Sequence, residues 1–385
     1  MPSLSDETGG QITRLLPGAT IGIVGGGQLG RMMALAAKYM GFRIGTLDPT
    51  PDCPTAQVAD FQIVADYDDQ EAIRELAERS DVLTYEFENV DADALDAVRD
   101  IVAIPQGTDL LRVTQNRIAE KTFINDHGIA TAPWRPVGSR AELDAALAEI
   151  GYPAVLKTCE GGYDGHGQIV LRTPDDLAEV WPEENFPQAI LEGFVDFAFE
   201  ASILVSGNGN GNDYQTFPIV RNIHRDNILH LTLAPANVSE QVARTAHELA
   251  LELARGFKLA GTLAIELFIK SDGTVIVNEL APRPHNSGHY TIEACDFDQF
   301  DMHVLGIAGW NLPTPRLLSP AVMVNVLGQH IAPTQAAEPM HPEWHVHDYG
   351  KAEAKFNRKM GHITVLCENP EDAAQSLEQT GCWSC

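Results

Sequence analysis

Two glutamates on neighbouring apolar runs are the residues of this sequence best arranged to do chemistry. Glu266 and Glu279 lie in "GTLAIELFIK" and "TVIVNELAP", on either side of Asp272 and Gly273. Asp-Gly between two apolar runs predicts a hairpin with a two-residue turn, and in that register Glu266 faces Glu279. Opposed carboxylates repel each other unless a cation lies between them, and Mg²⁺ shared with phosphate oxygens would remove the repulsion. The pattern therefore predicts a Mg²⁺ site.

The hairpin leaves two alternatives open. A three-residue turn would shift the register by one and place Glu266 opposite Asn278. In the two-residue register, Asn278 points to the other face unless the strand bulges at its end. The second alternative is that both glutamates are solvated on an exposed face, which the apolar character of the flanking strands disfavours.

A polar loop follows the second of these strands directly. "APRPHNSGH" brings Arg283, His285, Asn286, Ser287 and His289 into seven residues. Arginine binds planar oxyanions with two parallel hydrogen bonds, and asparagine and serine add neutral donors. The loop predicts an oxyanion site, with an ordinary connecting loop as the alternative.

A glycine-rich segment between two short apolar runs indicates phosphate chemistry. In "LKTCEGGYDGHGQIVL", Lys157 ends the first run and glycines follow at 161, 162, 165 and 167. Such a loop brings backbone amides close to phosphate oxygens, with the lysine as a point charge. It is not a Walker A loop, because no Gly-Lys-Ser/Thr follows. We predict a hairpin that covers phosphates, with an ordinary hairpin loop as the alternative.

The charge balance limits the class of partner. The chain carries 26 basic and 54 acidic residues, a net charge of −28, which argues against nucleic acid or an acidic membrane. Lys351, Lys355, Arg358 and Lys359 nevertheless fall within nine residues. They are the local counter-charge that a phosphorylated substrate would need, and a solvated basic hairpin explains them equally well.

The N-terminal motif Gly25-x-Gly27-x-x-Gly30 follows an apolar run and has Asp48 after the next one. These features match the dinucleotide-binding pattern, in which a helix N-terminus holds a pyrophosphate and the acidic residue holds a ribose. The motif alone leaves two interpretations, an NAD site or the same turn used for another ligand.

The elements that must position these residues follow from the order of the apolar runs. Residues 20–105 alternate five short apolar runs with amphipathic stretches, which predicts a parallel sheet covered by helices. A connecting helix is predicted over 114–127, followed by a Pro-rich loop and a small α+β unit. Antiparallel strands interrupted by one helix are predicted over 197–280, and further short strands over 320–367.

Targeting and cysteine patterns point to a reduced, non-membrane environment. No apolar run approaches the roughly 18 residues of a membrane span, and the N-terminus lacks the basic and apolar regions of a signal peptide. Six scattered cysteines favour free thiols over a disulfide framework. The C-terminal "GCWSC" is interpreted as two thiols on a frayed tail, because a four-ligand zinc site would need a second pair.

Six motifs in a fixed order resemble the ATP-grasp carboxylases of purine biosynthesis. They are "GGGQLGRM", "EGGYDGHGQ", "EGFV", "AIELF", "VNELAPRPHNSGHY" and "NRKMGH", and the resemblance covers about residues 19–367. It implies a mixed α/β and α+β architecture, an ATP-grasp fold with a Rossmann-like N-terminal domain over 1–115. A small lid domain over 116–196 would follow, then an antiparallel-sheet C-terminal domain with a small β subdomain over 197–385.

The resemblance also implies an activity. It is that of a ligase that uses ATP to convert bicarbonate to carboxyphosphate and then carboxylates 5-aminoimidazole ribonucleotide at N5, releasing ADP and phosphate. The implied cofactors are ATP and two Mg²⁺ ions, with Mn²⁺ as a substitute, and the implied state is a cytoplasmic homodimer without nucleic-acid or membrane partners. The glycine turn would then lie beside the ribonucleotide and hold no NAD.

Site residues carry over onto the matching positions of this sequence. The implied ATP contacts are Arg117, Lys121, Lys157, the lid residues Gly162, Tyr163, Asp164, Gly165, His166, Gly167 and Gln168, the adenine hinge Glu192, Gly193, Phe194 and Val195, and Glu200, His224, Asn278 and Glu279. The implied Mg²⁺ ligands are Glu266 and Glu279. The implied ribonucleotide contacts are Gln28, Leu29, Glu86, Asn89, Tyr163, Asp164, Lys351, Arg358 and Lys359, and the implied catalytic group is Arg283, His285, Asn286 and Ser287.

One position departs from the family pattern, and two hypotheses compete with it. His166 stands where the family commonly has Arg or Lys, and a titratable imidazole is a weaker phosphate contact near neutral pH. We expect the lid loop to be mobile without nucleotide, because it must close over the intermediate. The competing hypotheses are another ATP-grasp ligase with a different acid, such as a formate-dependent transformylase or a biotin carboxylase, and an NAD-binding dehydrogenase.

Overall fold

The computed structural model describes residues 14–161, 167–182 and 185–384, and three β-sheets organise this part of the chain. The N-terminal segment, for which no signal peptide is predicted, lies largely outside the described residues, as does most of the lid loop, so those predictions stay predictions. In the described ranges no helix is long and apolar enough to cross a membrane.

The first sheet is parallel, as predicted, with strand order β3-β2-β1-β4. Its elements are β1 (Thr20–Val24), α1 (Gln28–Tyr39), β2 (Arg43–Leu47), β3 (Phe61–Ile63), α2 (Gln70–Glu78), β4 (Val82–Tyr85) and α3 (Ala92–Asp96). The strands read as continuous apolar runs because helices cover both faces. The fifth predicted strand is reduced to a single parallel bridge between Val82 and Ala103, just before Pro105, which has no N–H to extend a ladder.

The helix predicted over 114–127 is two helices, α4 (Asp109–Gln115) and α5 (Arg117–Asp126). Asn116 separates them with an extended backbone, and its side chain accepts the N–H groups of Ile118 and Ala119 as the N-cap of α5. Asparagine favours this position because its carbonyl satisfies donors that the first helical turn leaves unpaired. The break turns the start of α5 toward the cleft described below.

The second sheet is a small antiparallel one with strand order β5-β8-β6-β7. Its elements are β5 (Trp134–Val137), α6 (Arg140–Ile150), β6 (Ala154–Thr158), β7 (Gln168–Leu171) and β8 (Ala189–Gly193). Leu143 and Leu147 of α6 pack on Leu156 and Leu191 to form its own core. The glycine-rich segment connects β6 to β7, so the predicted strand–loop–strand arrangement is confirmed for the described residues on either side of it.

The third sheet holds the remaining strands in the order β14-β13-β9-β11-β12-β15-β17-β16, with β10 paired to β9. Its strands are β9 (Phe199–Asn208), β10 (Tyr214–Thr216), β11 (Val220–Arg225), β12 (Ile228–Ala234), β13 (Ala260–Ile269), β14 (Val275–Ala281), β15 (Ala321–Leu327), β16 (Trp344–Asp348) and β17 (Lys359–Leu366). The helices that follow the chain here are α7 (Glu240–Phe257), α8 (Thr291–Ala294), α9 (Gln299–Ile307), α10 (Ile331–Ala337) and α11 (Pro370–Gln379).

The long helix α7 covers one face of this sheet with its apolar side. Ser239 caps it by accepting the N–H of Val242, and Ala246, Leu249 and Leu253 then recur at helical spacing and pack into the apolar core of the sheet. The strands predicted over 320–367 extend this same sheet instead of forming a separate one.

The interpretation of the C-terminus as a frayed tail is wrong for its described part. Cys382 and Trp383 are each 3% exposed, and the Trp383 indole N–H donates to the Asn325 carbonyl at 2.9 Å. Burying a tryptophan in the core next to α11 outweighs the conformational freedom of a chain end. Cys382 is a free thiol, as are Cys53, Cys159 and Cys295, and Cys385 lies outside the described residues.

Candidate active site

Glu266 and Glu279 are directly opposite each other, as predicted, but the turn prediction behind that pairing is wrong. Lys270 bonds to Thr274, and the turn is the three-residue Ser271–Gly273 with Gly273 at φ +84°. This turn shifts the register by one, so that Leu267 pairs with Val277. A bulge at Asn278 shifts it back and restores the Glu266–Glu279 pair. The bulge also turns Asn278 to line the cleft.

Glu266 is the member of the pair whose pKa is strongly shifted. Burial raises the pKa of Glu266 to about 7, and repulsion from Glu279 adds to the effect. Arg117 Nη1 lies 3.4 Å from Glu279 Oε2, and His285 Nε2 lies 3.4 Å from Glu266 Oε1. Two opposed carboxylates, Glu266 with its side chain 18% exposed and Glu279 with its side chain 42% exposed, are hard oxygen ligands short of positive charge. Across the described residues no cluster of three or more His, Cys, Asp or Glu side chains could hold a metal ion by itself.

A cleft of about 1050 Å³ runs between the three sheets and brings most of the predicted residues together. The predicted residues on its wall are Gln28, Leu29, Glu86, Asn89, Arg117, Lys157, Gln168, Glu192, Gly193, Phe194, Val195, Glu200, His224, Glu266, Asn278, Glu279, Arg283, His285, Asn286 and Lys359. Five predicted residues are described but lie off its lining: Lys121, Gly167, Ser287, Lys351 and Arg358. Gly162, Tyr163, Asp164, Gly165 and His166 lie outside the described residues.

The Lys121 side chain is buried beneath the cleft, and two partners offset the cost of burying its charge. Its ammonium donates to the Asn278 carbonyl at 2.6 Å and lies 3.3 Å from Glu192 Oε1. Lys157 donates to the other carboxylate oxygen, Oε2, of Glu192 at 2.8 Å. Burial alone would raise the pKa of Glu192, but the two lysines outweigh it and hold the pKa at about 2. One carboxylate thus fixes the spacing of both predicted phosphate-binding lysines.

Two backbone N–H groups of the predicted adenine hinge already have hydrogen-bond partners within the protein. Gly193 N–H donates to the Pro133 carbonyl at 2.8 Å, and Phe194 N–H donates to the Pro153 carbonyl at 3.1 Å. Further along the cleft, Phe197 and Phe268 stack with ring centroids 4.6 Å apart. Sequence reasoning missed these two aromatic rings, although Phe268 follows Glu266 by two residues and therefore lies on the same face of β13.

Beside the hinge, Glu200 and His224 form a short polar pair. His224 Nδ1 and Glu200 Oε2 are 2.6 Å apart. Burial would lower the pKa of His224, but the hydrogen bond to Glu200 outweighs it and raises the pKa. The pair lies next to the aromatic residues, because Glu200 is opposite Phe268 on the neighbouring strand.

Arg283 has a partner that sequence reasoning also missed. Its Nε donates to Glu88 Oε2 at 2.6 Å. Burial would raise the pKa of Glu88, but Arg283 outweighs it and lowers the pKa. Glu88 is two residues beyond the predicted Glu86 in "YEFENV", so alternation along an extended segment was the available signal.

The loop that carries Arg283 and His285 is braced by a fully buried glutamine at the start of α9. Gln299 Oε1 accepts the His285 N–H at 2.8 Å, and its Nε2 donates to the His285 carbonyl at 2.8 Å. The second Nε2 hydrogen is directed at His289 Nδ1, 3.0 Å away. A Cβ on Gly288 would come within 2.4 Å of Gln299 Oε1, so the glycine is required for this brace. From the turn that follows Ala103, Gln106 donates to the Pro282 carbonyl.

Ser287 does not point into the cleft as the oxyanion prediction required. It is fully buried, and its hydroxyl lies 2.7 Å from Ser202 Oγ and 2.9 Å from His285 Nδ1. Asn286 does face the cleft, and it is held by a reciprocal amide pair with Asn325. The oxyanion loop therefore presents Arg283, His285 and Asn286, with Ser287 behind them.

The turn from Gly25 to Gly30 is occupied by a side chain of the protein itself, Glu86. Both carboxylate oxygens of Glu86 accept backbone N–H groups, from Gly27 and, at 2.6 Å, from Gly30. Burial raises the pKa of Glu86 in spite of these two bonds. A Cβ at Gly25 would come within 2.3 Å of the Glu86 side chain. The helix N-terminus that would hold a pyrophosphate is thus occupied.

Asp48, the other half of the dinucleotide pattern, is also satisfied internally. Its carboxylate accepts from Gly26 N–H at 2.8 Å, Thr50 N–H at 2.8 Å and the Tyr67 hydroxyl at 2.6 Å. It is 6% exposed. The geometry disfavours the NAD interpretation, because both groups that would hold the dinucleotide already have protein partners.

The basic cluster is arranged on the loop before β17 and at its start. Lys359 lines the cleft, and Lys351 donates to the Lys359 carbonyl at 2.7 Å. Burial and the nearby Arg358 lower the pKa of Lys351 to about 8. Lys355 pairs with the exposed Glu353 instead. The cluster is therefore split, with Lys359 on the cleft wall, Lys351 half-buried behind it and Lys355 in solvent.

The three sheets, the carboxylate pair and the cleft define an ATP-grasp enzyme, and family models agree. The ribonucleotide synthetase preATP-grasp domain matches residues 18–115, the ATP-grasp domain matches residues 122–300, and the phosphoribosylaminoimidazole carboxylase C-terminal domain matches residues 321–376. The predicted fold class is confirmed by these matches.

Comparison with individual relatives identifies the family within the ATP-grasp enzymes. The chain is 46% identical over 358 residues to the N5-carboxyaminoimidazole ribonucleotide synthase of Bacillus subtilis, covering 93% of this chain and 94% of the relative. A crystal structure of an N5-carboxyaminoimidazole ribonucleotide synthetase with ADP superposes with a TM-score of 0.94 at 48% identity, covering 97% and 98% of the two chains. The synthase of Aspergillus clavatus, solved with ADP and 5-aminoimidazole ribonucleotide, superposes with a TM-score of 0.88 at 31% identity, covering 95% and 98%. The chain belongs to the N5-carboxyaminoimidazole ribonucleotide synthase family, ATP-dependent ligases of purine biosynthesis.

Proposed function

We propose that this enzyme carboxylates N5 of 5-aminoimidazole ribonucleotide with ATP and bicarbonate, giving N5-carboxyaminoimidazole ribonucleotide, ADP and phosphate. The observation that carries the proposal is the meeting of the Glu266–Glu279 pair with Arg283 and His285 in one cleft that also reaches Gln28. A phosphoryl donor site, an oxyanion site and an amine-substrate site must be contiguous for this reaction. The ligands of the Aspergillus relative, ADP and the ribonucleotide, support the same assignment.

Mg²⁺ fits the donor set at the glutamate pair. Glu266 and Glu279 supply hard oxygen ligands on facing strands, with the Asn278 amide beside them on the cleft wall. Two carboxylates are too few ligands for Mg²⁺, which prefers six, and substrate phosphates and water complete such sites. When bound, the metal would neutralise charge on the β- and γ-phosphates.

ATP is proposed to lie with its phosphates near Lys157, Arg117 and the lid loop, and its adenine between the hinge and the stacked Phe197 and Phe268. Because the amides of Gly193 and Phe194 already have partners, the adenine contacts fall on hinge carbonyls and on Val195. Glu200 and His224 are proposed for the ribose end of the nucleotide.

The reaction is proposed to have two steps. Bicarbonate oxygen takes the γ-phosphoryl group, so the bond from that phosphorus to the bridging oxygen breaks and ADP leaves. The N5 amine then attacks the carbon of carboxyphosphate, the C–O bond to phosphate breaks, and the amine proton passes to the departing phosphate. Arg283 and Asn286 are proposed to hold the carboxyphosphate oxygens, and Lys351, Arg358 and Lys359 the ribonucleotide phosphate.

The decisive experiment measures ADP release from ATP and bicarbonate with and without 5-aminoimidazole ribonucleotide, in the parent and in Glu279→Gln. We expect carboxylated product and ADP in equal amounts, dependent on the ribonucleotide and on Glu279. ADP release that ignores the ribonucleotide would reject the substrate and keep the ATP-grasp chemistry, whereas absence of ATP turnover would reject both. The homodimer, the cytoplasmic location and the domain boundaries at 115 and 196 remain proposals that rest on the resemblance.

A further inference from the structure

Three buried side chains on neighbouring strands and a fourth in the oxyanion loop form a directed chain of hydrogen bonds that ends on the His285 ring. Thr232 Oγ1 donates to Asn222 Oδ1 at 3.1 Å, and Asn222 Nδ2 donates to Ser202 Oγ at 3.0 Å. Ser202 Oγ donates to Ser287 Oγ at 2.7 Å, and Ser287 Oγ lies 2.9 Å from His285 Nδ1. Relative exposures along the chain are 0% for Thr232, 4% for Asn222, 0% for Ser202 and 0% for Ser287.

The chemistry of the first two members sets the direction of the whole chain. An amide oxygen can only accept, so the Thr232 hydroxyl must donate to Asn222. An amide nitrogen can only donate, so Ser202 Oγ accepts from Asn222 and has its own hydrogen left for Ser287. Having accepted that hydrogen bond, the Ser287 hydroxyl turns its own hydrogen toward His285 Nδ1.

An independent donor points at the same ring nitrogen. The backbone N–H of Ser287 lies 3.3 Å from His285 Nδ1, and a backbone N–H cannot accept. Nδ1 is therefore an acceptor on two counts, and the ring hydrogen of neutral His285 must be on Nε2. That nitrogen lies 3.4 Å from Glu266 Oε1, where the metal strand meets the oxyanion loop.

We propose that the buried chain Thr232–Asn222–Ser202–Ser287 positions His285 by fixing its Nε2–H tautomer, so that His285 serves as a neutral hydrogen-bond donor to an oxyanion in the cleft. Ser202, Asn222 and Thr232 are then positioning residues, since they act only through Ser287 and His285. The role in catalysis rests on the proposed function, whereas the tautomer itself does not. A fixed donor aimed at developing negative charge needs no reorganisation during the reaction.

The strand that carries Ser202 also supplies a matched control. Ser206 is on β9 too, is 0% exposed, and its hydroxyl lies 2.8 Å from Thr262 Oγ1. Ser202→Ala and Ser206→Ala each remove one buried hydroxyl–hydroxyl bond from the same strand. Only the first interrupts the chain to His285. In Ser206→Ala the Thr262 hydroxyl still donates to the Gln299 carbonyl at 3.2 Å, so Gln299 keeps its own contacts.

The test combines ring ¹⁵N NMR with steady-state kinetics on the full chain. The 13 histidines are labelled, and His285→Gln identifies the His285 signals. In the parent we expect the pattern of a single Nε2–H tautomer. In Ser202→Ala we expect mixed tautomers and a kcat lower by about fivefold, the worth of about one hydrogen bond, with the KM for ATP within about twofold. Ser206→Ala is expected to match the parent in both measurements.

Two results would overturn the proposal: an Nδ1–H tautomer in the parent, or a Ser202→Ala variant indistinguishable from Ser206→Ala. If Ser202→Ala does not fold, Asn222→Leu removes the amide donor that directs the Ser202 hydroxyl toward Ser287 and keeps a similar shape, and the same shift in tautomer is required of it. A parent that makes no carboxylated product would reject the proposed function, and the NMR result would still decide whether the chain sets the tautomer.

Discussion

The Glu86 carboxylate accepts the backbone N–H of Gly30 at 2.6 Å, across 56 positions of sequence. Its other oxygen accepts the N–H of Gly27, so one side chain satisfies the turn that in dinucleotide-binding proteins holds a pyrophosphate. The same backbone geometry thus serves an internal anion here. The glycines remain necessary because a Cβ at Gly25 or Gly27 would come within 3 Å of Glu86, at 2.3 Å and 2.7 Å respectively.

Replacing Glu86 by glutamine should destabilise the protein. The amide can accept from one of the two glycine N–H groups, but its NH₂ then faces the other donor, and we expect a loss of about 1–3 kcal/mol in the free energy of unfolding. Urea unfolding of the parent and of Glu86→Gln measures this loss. Asp69→Asn is the control, since Asp69 also accepts two backbone N–H groups at a helix start but is exposed. Equal effects in the two variants would contradict the internal-anion role.

Replacing Glu266, one of the two proposed metal ligands, should raise the stability of the metal-free protein at pH 8 and lower its activity. The pKa of Glu266 is raised to about 7 by burial and by Glu279, so without metal the folded state holds a proton that the unfolded state loses near pH 4.5. Its stabilising effect is complete below the unfolded pKa and disappears as the pH rises through about 7. At pH 8 we therefore expect Glu266→Gln to be more stable than the metal-free parent in thermal unfolding, yet to lose activity by about 100-fold.

The stabilisation produced by Mg²⁺ with ATP provides the control for this prediction. Mg²⁺ with ATP should stabilise the parent at pH 8 and should have a smaller effect on Glu266→Gln, because the metal replaces the missing positive charge only where both carboxylates are present. A variant that is less stable than the parent at pH 8, or that responds equally to Mg²⁺ and ATP, would argue against a metal site at this pair.

The buried bridge at Glu192 should govern acid stability. Burial alone would raise its pKa, but Lys121 and Lys157 hold it at about 2. A depressed carboxyl pKa contributes stability above the unfolded value near 4.5, and this contribution, on the order of 3 kcal/mol, is lost as the pH falls toward 2. Glu192→Gln should flatten the acid limb of the stability profile and weaken the fold at pH 7 by about 3–5 kcal/mol, because two buried lysines lose their partner.

Unfolding by denaturant at a series of pH values from 7 to 3 gives this profile. Glu75→Gln, which removes an exposed i,i+4 partner of Arg79, is the control and should change stability by about 0.5 kcal/mol or less. An unchanged acid limb in Glu192→Gln would show that other carboxylates dominate acid unfolding.

The Gln299 brace should affect the coupling of the two half-reactions. Gln299→Met keeps the volume but removes three hydrogen bonds that hold His285 and His289. A looser oxyanion loop should let carboxyphosphate escape to water, so that ADP exceeds carboxylated product while the KM for ATP changes little. The ratio of ADP to carboxylated product is the measurement.

A second buried amide distinguishes this effect from a general loss of stability. Asn208 is 4% exposed and makes three hydrogen bonds, to Asp213, Asn210 and the Trp310 carbonyl, none of them in the site loop. Asn208→Leu should lower the melting temperature by a similar amount and leave the ratio of ADP to product unchanged. Uncoupling in both variants would assign Gln299 a purely structural role.

Local sequence patterns were enough to predict the type of each large sheet, the class of enzyme and the pair of acidic residues. Alternating apolar runs and amphipathic stretches indicated the parallel first sheet and the antiparallel third one, because side-chain periodicity reports directly which face each element buries. Ordered motifs were enough to indicate an ATP-grasp ligase, and the apolar flanks of Glu266 and Glu279 were enough to place two acids on facing strands. Even there, the pairing depended on a three-residue turn and a bulge at Asn278 that offset each other.

Only the tertiary structure decided which partner each charge and hydroxyl takes. Glu86 with Gly30, Glu192 with Lys121 and Ser202 with Ser287 are separated by 56, 71 and 85 positions, and no periodicity links them. The same holds for the buried Trp383, whose place depends on an apolar pocket assembled from distant strands. Local pattern reflects burial, which is a property of one element. A polar partner is chosen by distance and hydrogen-bond direction between elements, and those exist only once the sheets have packed together.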